Sequence, residues 1–574
     1  ITANGNVRGV DDGGIVATAS GAGNISILGT GSLSTLTPGV SSTNGPAISA
    51  SSQGGVVLVD RGGSVSGATG INTLTTGAGT ITVNTAANST TTGTTGNAIQ
   101  NSAANGTTTV LVRSGSTVTG AAHGVISDAS GTGNINTTLE AGSTVTGQAQ
   151  SGVRSNATAG SVTTTVAAGA TATGNGAENA GIFGAVLGAG STGTVTINVS
   201  LPAVVASPVI TGLTGADGIR GVAVDGDVTV SITPTTDPIP SGSIQNVVSG
   251  ASGIRTSTTG AGDITIGVTG GVLGTGAAGS GISAEAGTGA VAVTVIVPPG
   301  FTANSGNVVQ GGLNGILATT GGASAVTVTV GNSATGGLVG NVLATSANGI
   351  GISAGSAGGL VTVTGRGNTV ASGATSTGIR GRNTTGNIVI DRIGNATGSQ
   401  FGIDAQTSGG NITVQNTTAT GGAGGAGIRA VVTAGNGAVL INSLTGTTSG
   451  AAGIVAQSAG TGGVTIATDA LTVTGTAGNG ISATALGTGA ISITGTGQVT
   501  GTTNGIIATG NGGNVTISGY AGGVTGTANA GVSAATTGAG TVEVTTNGTV
   551  LGGTDGITTT AVSGTTTITA NGTV

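Results

Sequence analysis

The chain has no cysteine, no methionine and no tryptophan, and its 574 residues include one tyrosine and three phenylalanines. Without cysteine there is no disulfide, no thiol nucleophile and no thiolate metal site. A cysteine-free chain of this length suits export, because no disulfide can form before translocation ends. With aromatics at 1%, large side chains cannot build an ordinary globular core. Charge is scarce as well, at 5%, and all eleven basic residues are arginine. The net charge is −6 and the pI is near 4.5, with no basic patch, so nucleic acid is not an expected partner. The missing methionine, initiator included, leads us to expect a piece of a longer chain. No leader of the secretory type is seen, and no apolar run is long enough to span a bilayer.

Glycine is abundant instead, at 122 residues, alongside alanine, valine, isoleucine and threonine. Low charge with positive mean hydropathy argues against disorder. Glycine follows no three-residue period and there are nine prolines, which excludes collagen. A glycine-rich, apolar, β-branched and periodic chain points to a repeat architecture.

The repeat is clearest in the stretch 480–506, GISATALGTGAISITGTGQVTGTTNGI. Aligned with the copies that follow, it forms columns. Ile481, Ile506, Val532 and Ile557 share one column, and Ala483, Ala508 and Ala534 the next. The pairs Ile491/Ile493, Val515/Ile517 and Val542/Val544 follow, then Val499, Val524 and Val550. Each cluster alternates apolar with small or polar residues, the period of a strand with one buried face. Gly-Thr-Gly, Asn-Gly or Ala-Gly separates the clusters, and these are turn sequences. One copy therefore reads as three short strands and three corners.

A Gly-Ile or Gly-Val marker recurs along the whole chain and defines about 20 turns, mostly of about 24 to 29 residues. The fold expected is all-β: a right-handed parallel β-helix, a β-solenoid with three strands per turn, continuous over 1–574. With a rise of about 4.8 Å per turn it would be a rod near 100 Å long. Isoleucine and valine would stack inward, and corner glycines would supply positive φ. The chain opens ITANGNV and closes ITANGTV, which puts Ile1 with Ile568 and Val7 with Val574. Neither end carries a polar cap. The piece is therefore expected to be internal to a longer array or to stack on other copies at its ends.

Runs such as GISATALGTGAISITGTGQVTG and GVSAATTGAGTVEVTTNGTVLG resemble the passenger repeats of autotransporter (type V secreted) proteins of Gram-negative bacteria. The resemblance covers nearly the whole chain and is one of pattern. It implies an extracellular β-helix of adhesin type, carried in the family by an outer-membrane barrel. The last residues here, TITANGTV, are still repeat.

Four turns are longer, at about 34 to 37 residues, starting at Ile182, Ile219, Ile282 and Ile316. They lie within 182–349, and seven of the nine prolines lie between Pro202 and Pro299. Proline cannot donate to a ladder, so these segments are expected to leave the sheet as a lateral bulge. Loops held on a rigid scaffold often carry binding. The candidate binding residues are Pro202, Pro208, Pro234, Pro238, Pro240, Pro298, Pro299 and Phe301. The plainer reading is a tolerated insertion.

The position after Gly-Ile/Val should face outward. It holds Arg154, Arg220, Arg255, Arg380 and Arg429, with Asp404 between the last two. An Arg380–Asp404–Arg429 ladder is expected, read either as register-setting on an exposed face or as a stripe for anions or acidic glycans. Asp217, Asp225, Asp227 and Asp237 are the densest carboxylates, and Asp225 with Asp227 are placed on one strand face. With no lysine, and no aromatics beyond Phe183, Phe301, Phe401 and Tyr520, they do not form a convincing glycosidase or lyase set. His123 is the only histidine and has no triad partners. Thr196, Thr229, Thr327, Thr362, Thr413, Thr465 and Thr516 form an outward threonine column on the second strand. It is interrupted by Ser492 and Glu543, and is explained by the β propensity of threonine or by water ordering of the ice-binding kind.

These readings lead to a non-enzymatic bacterial surface protein with a structural and adhesive role, displayed extracellularly, with no metal or cofactor. Its expected partners are a host or neighbouring cell surface, glycans included, and further copies of itself end to end or side by side. A self-assembling filament or layer is the alternative, and a polysaccharide-degrading β-helix the third.

Overall fold

The computed structural model describes residues 1–2, 7–11, 13–29, 39–202, 209–234, 246–297, 308–331, 340–442 and 446–574. Among them every regular element is a β-strand, and every registered pairing is parallel. The chain is an all-β parallel β-solenoid with three strands per turn. It divides into two compact units, 1–289 with 294–311, and 290–293 with 312–574. Ten strands of the first ladder are described in each.

The columns expected from the sequence are the observed register. Ile481 pairs with Ile506 and Ala483 with Ala508, and the next turn adds Val532 and Ala534. On the second ladder Ile491 and Ile493 pair with Val515 and Ile517, and on the third Val499 pairs with Val524. All of these side chains are buried. Each fully buried valine or isoleucine contributes about 1.5–3 kcal/mol, which lets a core without aromatics hold.

The marker glycines have a different cause from the one expected. Gly480, Gly505 and Gly531 are not in the positive-φ region. A Cβ on Gly505 would lie 2.5 Å from Val524 Cγ1 and 2.6 Å from the Gly531 carbonyl. Glycine is needed there because the third strand and the next turn press against it. Positive φ is found at other corner glycines, as expected: Gly115, Gly142 and Gly169 between the second and third strands take φ of 68°, 72° and 80°, Gly435 between the first and second 65°, and Gly176 between the third and first 82°. Asparagines stitch the remaining corners. Asn134 Oδ1 accepts the Ser161 N–H at 2.8 Å, and Asn387 and Asn411 accept from Asn411 and Ala438 at 2.8 Å each.

The long turns depart from regular geometry at one place in the repeat. Their extra residues fall between a second-ladder strand and a third-ladder strand, as between Val228–Pro234 and Asn246–Gly250. The strands reach further than expected, since Pro234 is still in register with Leu201. Pro208, Pro238, Pro240, Pro298, Pro299 and Phe301 lie outside the described residues, and Pro202 is half-buried at a strand end.

In the second unit two turns lose that corner altogether. Ile388–Thr397 and Ile412–Thr420 each run through it as one strand, with a register shift between Asp391 and Gly394. Alternation from Ile388 carries Arg392 inward and Ile393 outward. Arg392 is 1% exposed and Ile393 46%. Arg392 Nη1 donates to the Val330 carbonyl at 2.8 Å, Nη2 to that of Gly340 at 2.5 Å, and Nε to that of Gly367 at 3.1 Å. One guanidinium thus ties together the two ends of the long-turn segment 331–340. Burial lowers its pKa to about 9, so it stays protonated at neutral pH. The first unit has an arginine at the matching register. Arg61, after Asp60, is also buried, opposite Gly29 as Arg392 is opposite Gly365.

Candidate functional site

The outward face of the first ladder carries the chain's densest chemistry, and it differs between the units. In the first unit the column reads Arg154, Phe183, Arg220, Arg255 on successive turns. The guanidinium carbons of Arg154 and Arg220 stand 5.1 and 5.4 Å from the Phe183 ring centre, one on either side. The phenylalanine is 7% exposed although it points away from the core: two cations flank its faces, and Ala180, Ala185 and Val222 pack beside it. Glu178 closes the stack. Arg220 Nη1 donates to its Oε2 at 2.6 Å and to its backbone carbonyl at 3.0 Å. This hydrogen bond, and then the charge of Arg220, pull Glu178 below the usual carboxylate range. The sequence reading placed Arg154, Arg220 and Arg255 in this column but gave Phe183 no part in it. Its position in the column, between two arginines, was the available signal.

In the second unit Arg380, Asp404 and Arg429 stand in register on three turns, as expected. The pairing is not the one expected. Asp404 is gripped by Arg429, with Nη1 to Oδ1 at 2.9 Å, and by Arg382, whose Nη2 reaches Oδ2. Arg382 stands two residues beyond Arg380 and also donates through Nη1 to the Asp404 carbonyl at 3.0 Å. Asp404 is therefore not on an exposed ladder: its side chain is 3% exposed beneath its arginines. Arg429 also lies 5.7 Å from the centre of the Phe401 ring. Arg380 takes no share of the carboxylate, and its Nε is buried without a hydrogen-bond partner. Burial, and then Arg382 beside it, lower its pKa. At the end of these strands a concavity of ≈ 510 Å³ is lined by Arg382, Asn383, Gln406 and neighbouring threonines and serines. At their start a smaller one of ≈ 330 Å³ is lined by Phe401, Arg429, Val455 and small residues.

Asp217 is buried, and its Oδ1 accepts the Ser252 N–H at 3.0 Å. Burial raises its pKa, partly opposed by that bond. Asp225 and Asp227 do not share a strand face: they sit in the corner between Asp217–Ala223 and Val228–Pro234. Asp227 Oδ1 accepts the Asp263 N–H at 2.9 Å, as the corner asparagines do. Asp237 lies outside the described residues. Among the described residues no group of three or more histidine, aspartate or glutamate side chains is placed to hold a metal ion. His123 is a buried corner residue whose Nδ1 accepts the Ser151 N–H at 3.1 Å. Burial, and then Arg154, push it down to about 4, so the ring is neutral at physiological pH. Tyr520 is no platform, being fully buried over Gly495.

The second-ladder threonine column is also less regular than the sequence reading had it, since Val389 and Leu440 take its place on two further turns. The regular hydroxyl rows are on the third ladder of the first unit. There Ser64/Ser66, Thr90/Thr92, Thr117/Thr119, Thr144/Thr146 and Thr171/Thr173 follow one another in register over five turns. No protein-family model, curated protein or solved structure matches the chain.

Proposed function

We propose that the chain is a non-catalytic display scaffold of a bacterial outer surface, secreted in the manner of an autotransporter passenger, whose side faces make adhesive contact. The observation that carries this reading is the in-register stacking of turns that differ mainly on their outward faces. Three parallel ladders hold a nearly constant core while the outside varies from hydroxyl rows to arginine clusters. Each turn contacts its neighbours, so stiffness and length come from repetition, and outward residues are free to diversify. Of the carboxylates considered for catalysis, Asp217 and Asp227 accept backbone N–H groups, which supports a structural use for these two.

The test is made on cells expressing the protein with its native flanks. Antibody labelling of intact cells and protease shaving should find the chain outside. Deleting the long-turn segments 202–208, 235–245 and 332–339 together, or neutralising the first-ladder arginines, should reduce attachment to surfaces or neighbouring cells. Intracellular protein, or attachment indifferent to both changes, refutes the reading. Fibres formed by the purified chain without any ligand would favour self-assembly over attachment.

A further inference from the structure

We infer that the first-ladder face of the second unit binds an anionic polysaccharide, with Arg380 as the group that receives the anion. This rests on the attachment reading and gives it a ligand class.

The argument starts from charge. Arg380, Arg382 and Arg429 surround one carboxylate, Asp404, leaving a local surplus of two positive charges in a chain whose net charge is −6. General attraction to polyanions is not available to such a chain, so affinity must be local. The three arginines are not equivalent. Arg382 spends Nη2 on Asp404 and Nη1 on two backbone carbonyls. Arg429 holds the other oxygen of Asp404 and stacks on Phe401. Asp404 thereby fixes both flanking guanidinium groups, and neither of its oxygens is hydrogen-bonded to Arg380. Arg380 is half-buried and its Nε has no hydrogen-bond partner; burial, and then Arg382, lower its pKa, and the charge of Asp404 opposes this only in part. An external anion would compensate it, and a planar guanidinium suits carboxylate or sulfate through two parallel N–H donors.

The surroundings favour a sugar as carrier of that anion. On one side Gln406, Thr384 and Ser408 line the ≈ 510 Å³ concavity with an amide and hydroxyls, which pair with sugar hydroxyls. On the other, Phe401 with Val455, Ala426 and Ala452 presents a shallow apolar surface to a ring's C–H face. The two lie at opposite ends of seven-residue strands, about 20 Å apart at the usual rise of a strand, with the arginines between. A polymer fits such a span better than a monosaccharide does.

The probes are polygalacturonate, carrying carboxylates, heparin, carrying sulfates, and neutral dextran, each titrated onto the immobilised chain at low and raised ionic strength. Binding to at least one polyanion and not to dextran is expected, weakening with salt, and the stronger polyanion identifies the anion. R380Q should weaken it by roughly tenfold or more, the size of one charge-assisted hydrogen bond. R380K, which keeps the charge, should retain more binding than R380Q and controls for folding. R8Q, at an exposed arginine of the first unit that stands on the third ladder, should leave binding unchanged. No polyanion binding, equal binding of dextran, or equal losses in R380Q and R8Q each overturn the inference. Surface labelling of cells is independent of all three, so failure here is distinguishable from failure of the display reading.

Discussion

Replacing Arg392 with methionine removes the most deeply buried charge among the described residues while roughly keeping its length. Three charge-assisted bonds are lost, to Val330, Gly340 and Gly367, whose residues are themselves buried. At about 1.5–3 kcal/mol each, they sum to about 5–9 kcal/mol. Methionine no longer has to be desolvated as a cation, which returns several kcal/mol. A net loss of about 3 kcal/mol remains, and it should be local because each turn is held by its neighbours. Hydrogen exchange read by mass spectrometry is the assay. Amides of 326–331, 340–345, 361–371 and 388–397 should exchange about a hundredfold faster in R392M, as about 3 kcal/mol implies. Amides of 71–175 should be unchanged. R392K keeps the charge but cannot reach three carbonyls at once, and should fall between. Unchanged exchange near Arg392, or an equal loss in both units, would refute the claim that this side chain closes the base of the long turn.

Other side chains make equally checkable claims. His123 in the folded chain titrates near 4, below its ordinary value of 6.5, so its contribution is complete above pH 6.5 and is lost as the pH falls from there through 4. Amides of 97–153 should lose up to about 3 kcal/mol of protection over that range, and H123N should abolish the dependence. At Gly495 a Cβ would lie 2.1 Å from Thr468 Oγ1 and 3.0 Å from Tyr520 Cε1, so G495A should cost about 1–3 kcal/mol, seen as faster exchange across 464–526. D404N leaves Arg382 and Arg429 around a neutral group, and should loosen 377–432 by about 2 kcal/mol in the same measurement. F183L removes a ring flanked by two cations, and should cost about 1–2 kcal/mol across 153–258, less at high salt.

The solenoid was legible because its information is periodic. A strand alternates every two residues and a turn returns about every 26, so Ile481, Ile506 and Val532 could be stacked from spacing alone, and the register agrees. The same arithmetic placed Arg380, Asp404 and Arg429 on one line. It could not say which arginine holds the carboxylate. That depends on where long side chains reach across the sheet, and Arg382 reaches further than its neighbour in the column. Nor could periodicity say that an outward Asp404 is buried, or that an outward Phe183 is covered, because the covering groups come from other turns. The sequence IVIDRIGNAT invites Ile393 inward and Arg392 outward on hydrophobicity. The unbroken strand reverses this, because alternation along a backbone is obligatory while solvation can be replaced by carbonyls from three other segments. Composition and period alone determined the architecture and the columns. Which side chains meet, and which charges remain uncompensated, was decided only when neighbouring turns came within reach of one another.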